Sequence, residues 1–319
     1  MKAIVFRELG KLEKVTTVEE VSVPKIQHGE VLIRVRASSI HPADAMFVAG
    51  RYRLTPQLPQ IAGIEGVGEI VQVDENAGSS DRLKVGDRVG FLHPGTWCEF
   101  VCVPTENVYR LSSTLTWSES ALCLLNPLSA LGLIESSGLK SGDFGIVTAA
   151  GSNVGRWMAT LARSKSINLL GIVRSSNARL DLEALGFHKI FEESSVDSIT
   201  LRTISGGGTA AAIDCVGGAQ AQTAFDSLSN GGKMILYGDL TNIPISVPNS
   251  SIIYRNLTIS GFGIRAYIKQ FDLGEIEKKL DSIVEIAISS KYLIEPDEHV
   301  VGEFPGVFQT VLRNLVLVF

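Results

Sequence analysis

Residues Phe144-Gly145-Ile146-Val147 read as a buried strand, and Thr148-Ala149-Ala150-Gly151-Ser152-Asn153-Val154-Gly155 as a turn of small residues. A helix is predicted to follow over 156–164. A strand that turns this tightly into a helix commits the chain to a layered α/β arrangement. It also aims unpaired backbone N–H groups and the positive end of a helix at one point, an anion site suited to a pyrophosphate. Gly151, Ser152, Asn153 and Val154 are the residues placed to present those N–H groups. A Cβ on the turn would block close approach of the backbone, which is why small residues are needed there. The usual fingerprint has three glycines, and Asn153 sits where one is often found. The same stretch also suits an ordinary tight strand–turn–helix junction.

A second strand, Leu169-Leu170-Gly171-Ile172-Val173-Arg174, comes at the spacing of a βαβ unit. Its tip has no carboxylate to hold the ribose hydroxyls of NAD. Arg174 with Ser175 instead suits the 2′-phosphate of NADP, because a guanidinium meets phosphate in a charge-assisted fork. Arg174 also reads as a solvated residue that ends a strand.

The chain of 319 residues favours two domains. Its net charge of −5 leaves no basic footprint for nucleic acid. No stretch pairs a basic start with an apolar core, and the most apolar region, 121–133, is broken by Asn126 and Pro127. Neither a secretory leader nor a membrane span is expected. Cys98, Cys102, Cys123 and Cys215 form no CxxC pair and are expected to be buried free thiols in a cytoplasmic protein.

The first ~115 residues carry alternating strands such as 31–37 and 67–73, separated by turn signals at 28–30, 76–78 and 85–88. That pattern predicts an antiparallel, partly open barrel. From Ser118, read as a helix cap, longer helices alternate with short apolar strands. The strands 211–216 and 233–237 stop at Gly217-Gly218 and at Gly238-Asp239. Strands ending at such turns build the crevice where open parallel sheets bind ligands, so Tyr237 and Gly238 join the candidate cofactor residues. A last strand over 257–262 lies near the sheet edge, a helix is predicted over 274–289, and the tail 315–319 is expected to return as a strand to the first domain.

With these parts in this order, the chain resembles the medium-chain dehydrogenase/reductase superfamily over nearly its whole length. The carriers are Gly29-Glu30-Val31-Leu32, Ile40-His41-Pro42-Ala43-Asp44, Gly63-Ile64-Glu65-Gly66-Val67-Gly68, Gly86-Asp87-Arg88-Val89, the turn at 150–155, Asp214-Cys215-Val216-Gly217-Gly218 and Asn230-Gly231-Gly232-Lys233. The resemblance implies a GroES-like, partly open β-barrel domain over 1–117, completed by 265–319. It also implies a Rossmann doubly wound parallel-sheet domain over 118–264. The alcohol dehydrogenase branch holds a catalytic zinc. Here its first ligand position is matched by His41, but the second falls at Ile64, and the four-cysteine lobe is missing. Zinc needs three or four converging N, S or O ligands, so no metal is expected and His41 is read as a packed or surface histidine.

The zinc-free branch includes quinone oxidoreductases and 2-enoyl thioester reductases. Gly50-Arg51-Tyr52-Arg53-Leu54-Thr55-Pro56-Gln57-Leu58-Pro59 is similar to the enoyl reductases, which pair a tyrosine here with a downstream Leu-Pro and a Gly-x-Glu-Gly turn. Asn126-Pro127 is similar to an Asn-Pro used beside the nicotinamide. The resemblance therefore implies NADPH-dependent reduction of an activated C=C bond, with Tyr52 and Asn126 as catalytic residues and Phe262, Gly263 and Arg313 as further cofactor contacts. Quinone reductases share a similarly placed tyrosine, so NADPH:quinone reduction stays open, as does an NADPH-binding protein with weak turnover. On the residues alone, Tyr52 also reads as a ring packed on the barrel rim, and Asn126 as a cap or turn residue before Pro127. Gly263 departs from the enoyl reductases, which often carry a large aromatic there. The resemblance also implies a homodimer joined through the 257–262 edge.

Overall fold

A computed structural model describes residues 1–74, 82–175, 177, 179–290, 295–304 and 314–319. The chain forms two compact units, Met1–Leu125 with Asp272–Phe319, and Asn126–Phe271.

The first unit is built around the long strand Glu30–Ser39. Val31, Ile33, Val35 and Ala37 point inward at every second position and are buried, the two-residue period of a pleated strand. This strand pairs antiparallel with Glu65–Val73 on one side and with Phe100–Pro104 and Leu315–Val318 on the other. Arg88–Leu92 and Val108–Arg110 continue the sheet beyond Glu65–Val73, and Asp297–Val300 flanks Leu315–Val318. A separate three-stranded sheet places Lys2–Phe6 between Thr16–Glu20 and Gln60–Ile61. The returning tail is therefore a barrel strand, as its apolar run implied. Two apolar clusters fill the unit, one around Ile4, Phe6, Phe47, Ile64 and Trp97, the other around Val31, Ile33, Ile70, Phe91 and Val103.

The second unit is a six-stranded sheet in the order Phe187–Glu192, Asn168–Val173, Phe144–Val147, Thr209–Asp214, Leu228–Leu236, Thr258–Gly261. All neighbours are parallel. Numbered along the chain this is 3-2-1-4-5-6, the doubly wound order whose reversal lies beside the first strand. The Phe144–Val147 strand thus sits at the centre with Phe144 alone only half buried. The Thr258–Gly261 strand lies at one edge.

Three boundaries differ from the sequence reading. The helix after the central strand spans Asn153–Ser164 and starts at Asn153 because Ser152 caps it. The helix predicted from Ser118 spans Trp117–Ala121, with Thr116 and Glu119 forming a reciprocal capping box. The Leu273–Ser289 helix is capped by Asp272 in the same way. Among the described residues no helix is long and apolar enough to cross a membrane.

Candidate active site

The nucleotide side of the site grows from the turn after Phe144–Val147. The Thr148 hydroxyl donates to Asp214 Oδ1 at 2.5 Å, tying the ends of two adjacent strands. Asp214 also accepts the N–H groups of Val216 and Gly217, which shapes the second glycine turn. Ala149 takes a left-handed backbone, φ 46°, and the chain then enters the helix. The Ser152 hydroxyl accepts the Gly155 N–H at 3.1 Å, a cap worth about 1 kcal/mol. The N–H groups of Asn153 and Val154 open the helix and have no intrahelical partner by geometry, so they are available to an anion.

The glycines of this turn do different work. A Cβ on Gly155 would lie 2.5 Å from the Ala150 carbonyl oxygen, so the helix packs on the turn only with glycine there. A Cβ on Gly151 would meet nothing nearer than Val173 at 3.9 Å. Asn153 is the first residue of the helix and is not among the residues with positive φ. Its position needs no glycine conformation, which explains why asparagine is accommodated. The turn fits a pyrophosphate: its backbone is clear and its half-exposed first helical residues face outward.

Arg174 and Ser175 follow the Asn168–Val173 strand and are exposed, as a recognition pair for an added phosphate must be. Tyr237 is half buried. Its N–H donates to the Asp214 carbonyl at 2.9 Å, and its phenol lies against Cys215 and Ser152, where burial first and then Cys215 hold its pKa well above the usual value. It thus touches the capped turn through Ser152. Gly238 is exposed beside it. The Phe262 N–H donates to the Leu236 carbonyl at 2.8 Å, and its ring is 5.8 Å from that of Tyr267. Gly263 precedes the Ile264–Ile268 helix, and a Cβ there would meet nothing within 4 Å. Asn126 lies in the first turn of the Leu125–Ser137 helix, half buried, with Pro127 beside it where a missing N–H is harmless. It is a helical residue, which corrects the turn reading. Arg313 lies outside the described residues.

On the barrel unit, Tyr52 follows the Pro42–Val48 helix. The N–H groups of Arg51 and Tyr52 both donate to the Met46 carbonyl, at 2.8 and 3.1 Å. The half-buried Tyr52 ring packs on the cluster of Phe6, Phe47 and Ile64, and Arg53 covers it at 5.7 Å from the centroid. The loop is therefore fixed by its backbone and by its aromatic ring together.

The sequence reading missed a buried polar group next to this loop. His41, Asp44 and Glu65 are 4%, 0% and 1% exposed. His41 Nε2 and the Ser39 hydroxyl both bond Glu65 Oε1, and the His41 N–H donates to Asp44 Oδ2 at 2.6 Å. Burial lowers the pKa of His41, but the Glu65 carboxylate outweighs it and the net shift is upward. Burial pushes Asp44 up to about 7, against the pull of His41. The signal was present in Gly63-Ile64-Glu65-Gly66, where an acidic residue interrupts an apolar strand.

A catalytic zinc does not fit these donors. Ile64 is 6% exposed and belongs to the apolar core. His41 Nε2 already engages Glu65 and Ser39. Burial raises the Cys98 and Cys102 thiols to about 12 and about 11, far from thiolates. Among the described residues no group of three or more His, Cys, Asp or Glu could hold a metal ion. All four cysteines are free, three of them buried, with Cys102 half buried.

The Asp44 shift has a testable sign. Its folded pKa lies above the unfolded value of 3.8. The folded state therefore keeps the proton longer, and this contribution to stability is full below 3.8 and is lost as pH rises through about 7. Asp44→Asn imitates the protonated form. Its melting temperature relative to the parent is expected to rise between pH 5 and pH 8. A difference that stays constant over that range would place the titration elsewhere.

Residues 27–113 match the alcohol dehydrogenase GroES-like domain family, and residues 153–277 match the zinc-binding dehydrogenase family. The chain is 29% identical to the mitochondrial enoyl-[acyl-carrier-protein] reductase of Arabidopsis thaliana, across 98% of this chain and 85% of that protein. It is 27% identical to the Xenopus tropicalis enzyme of the same name, across 92% and 87%. Among solved structures, the quinone oxidoreductase of Pseudomonas syringae pv. tomato superposes with a TM-score of 0.88 at 20% identity, covering 100% of this chain and 99% of that one. The Escherichia coli quinone oxidoreductase complexed with NADPH superposes with a TM-score of 0.86 at 18% identity, covering both chains fully. The capped phosphate-type turn, the barrel built on Glu30–Ser39 and the two family matches lead to one conclusion: the chain belongs to the medium-chain dehydrogenase/reductase superfamily of oxidoreductases.

Proposed function

We propose that this protein is an NADPH-dependent, zinc-free reductase of activated C=C bonds, acting on a 2-enoyl thioester. The observation that carries this reading is the match to enoyl-acyl-carrier-protein reductases, which runs through both units of the chain. When bound, NADPH supplies a hydride to the β-carbon of the substrate. The N–H groups of Asn153 and Val154, with Gly151 and Ser152, hold the pyrophosphate. Arg174 and Ser175 hold the 2′-phosphate. Tyr237, Gly238, Phe262, Gly263 and Arg313 complete the cofactor set. Charge that builds on the thioester oxygen is met by the Tyr52 hydroxyl, which donates a hydrogen bond and then a proton without carrying charge at neutral pH. Asn126 orients the nicotinamide or a water. The free thiols fit a reducing compartment, and this reading assigns the cytoplasm.

NADPH:quinone reduction is the second reading, favoured by the quinone oxidoreductase fold and by the glycine at 263, where no aromatic side chain stands. Rates of NADPH oxidation over a panel of 2-enoyl thioesters and quinones separate the two. The enoyl thioesters are expected to turn over faster. Quinone turnover alone would establish the second reading, and slow turnover throughout would leave an NADPH-binding protein.

The same reading includes a homodimer. The edge strand Thr258–Gly261 follows the Asn249–Arg255 helix, where Ile253 and Tyr254 are 69% and 83% exposed. An open edge with apolar neighbours is a ready pairing surface, and a two-fold axis would pair it with itself. Light scattering at micromolar concentration is expected to give twice the chain mass of 34.3 kDa. A monomer mass would rule the pairing out.

A further inference from the structure

We propose that the buried Ser39–His41–Glu65–Asp44 network is a positioning device for the reduction, holding the start of the helix that sets Tyr52 and the Leu125 N–H that opens the next helix. The inference rests on the reading that Tyr52 and Asn126 serve the reaction.

The network joins two neighbouring segments to a third that is distant in sequence. Ser39 ends the Glu30–Ser39 strand, His41 and Asp44 begin the Pro42–Val48 helix, and Glu65 begins the Glu65–Val73 strand. Glu65 is the hub. Its Oε1 takes the Ser39 hydroxyl and His41 Nε2, while its Oε2 accepts the Leu125 N–H at 2.9 Å. The Ser38 hydroxyl donates to its backbone carbonyl.

The Leu125 contact has a clear logic. Leu125 is the first residue of the Leu125–Ser137 helix, so its N–H has no partner within the helix. The free N–H groups of a first turn are ordinarily served in part by a serine, threonine, asparagine or aspartate just before the helix, which takes the second or third of them. The residues before it are Ala121, Leu122, Cys123 and Leu124, and none can do so. The Glu65 carboxylate takes the place of a local cap and lies at the positive end of the helix, where an anion is favoured. Asn126 is the next residue.

The other arm runs through the Pro42–Val48 helix. Asp44 and His41 fix its start through the 2.6 Å bond. Its far end carries the Met46 carbonyl, which holds the Arg51 and Tyr52 N–H groups. Seven residues of helix make a stiff strut of about 10 Å. Glu65 and His41 are positioning residues in this scheme and touch no reacting atom.

A purely structural role predicts lost stability and intact chemistry, so both are measured. Glu65→Gln keeps the size and one acceptor oxygen but removes the charge. Its amide hydrogen exchange at Leu125 and over 49–54 is expected to accelerate about tenfold or more. Its kcat on an enoyl thioester is expected to fall about tenfold, with KM and the NADPH dissociation constant within about twofold of the parent. Should Glu65→Gln not fold, Ser39→Ala, which deletes one bond to Glu65, decides by the same readouts with smaller changes. Unchanged exchange at Leu125 overturns the anchor. Faster exchange with parental kcat, in an assay where Tyr52→Phe is slow, overturns the positioning role alone. If Tyr52→Phe is as fast as the parent, the assignment of Tyr52 fails, and the positioning role with it, whatever the exchange shows.

Discussion

Removing the hydroxyl of Tyr52, as Tyr52→Phe, is expected to lower kcat on a 2-enoyl thioester by about 10²–10⁴-fold, the usual contribution of a positioned general acid. The substitution is clean because the ring is held by its packing on the Phe6–Phe47–Ile64 cluster and the loop by its bonds to the Met46 carbonyl. Phenylalanine keeps both. NADPH affinity is expected to stay within about twofold, since the hydroxyl acts on the substrate side. Quinone reduction is expected to suffer less, because a quinone oxygen takes its proton from water. A wild-type rate on enoyl thioesters would make Tyr52 a packing residue only.

Arg174→Ala is expected to weaken NADPH binding by about 1.5–3 kcal/mol, the range for a hydrogen bond to a charged group, which is roughly 10- to 150-fold in dissociation constant. NADH binding is expected to change little, since it carries no 2′-phosphate. The side chain is exposed at the end of its strand, so its loss leaves the Asn168–Val173 core intact. Titration of both cofactors by fluorescence reads the difference directly. Equal losses for NADPH and NADH would remove Arg174 from the phosphate site.

The parts of the site that depend on local patterning were legible in the sequence. The central strand, the small-residue turn and the second strand with Arg174 at its tip all follow from residues adjacent in the chain. So did the aliphatic Ile64 at a position where a zinc enzyme needs a ligand. The parts that depend on distant partners were not legible. Nothing near Glu65 in the sequence announces that it pairs with His41, or that it caps Leu125, because both contacts arise from strand pairing and helix docking. Tyr237 was read as a strand end facing a crevice. Its phenol also lies against Ser152 and Cys215, a contact between residues that follow three separate parallel strands and that no local pattern announces. Asn153 looked anomalous against a glycine fingerprint, and the anomaly disappears once Ser152 is seen to cap the helix and Asn153 to open it. Helix starts in general were placed late, since the capping residues Thr116 and Ser152 are common outside helices as well.

Hydride transfer itself is read most directly by an isotope. With NADPH deuterated at the transferable C4 position and a 2-enoyl thioester, mass spectrometry is expected to find the saturated thioester carrying one deuterium at its β-carbon, formed without added metal and in the presence of a chelator. The same enzyme with Tyr52→Phe is expected to give the same labelled product more slowly. Consumption of NADPH without labelled saturated thioester, or product that forms only when zinc is supplied, would contradict a zinc-free enoyl reductase.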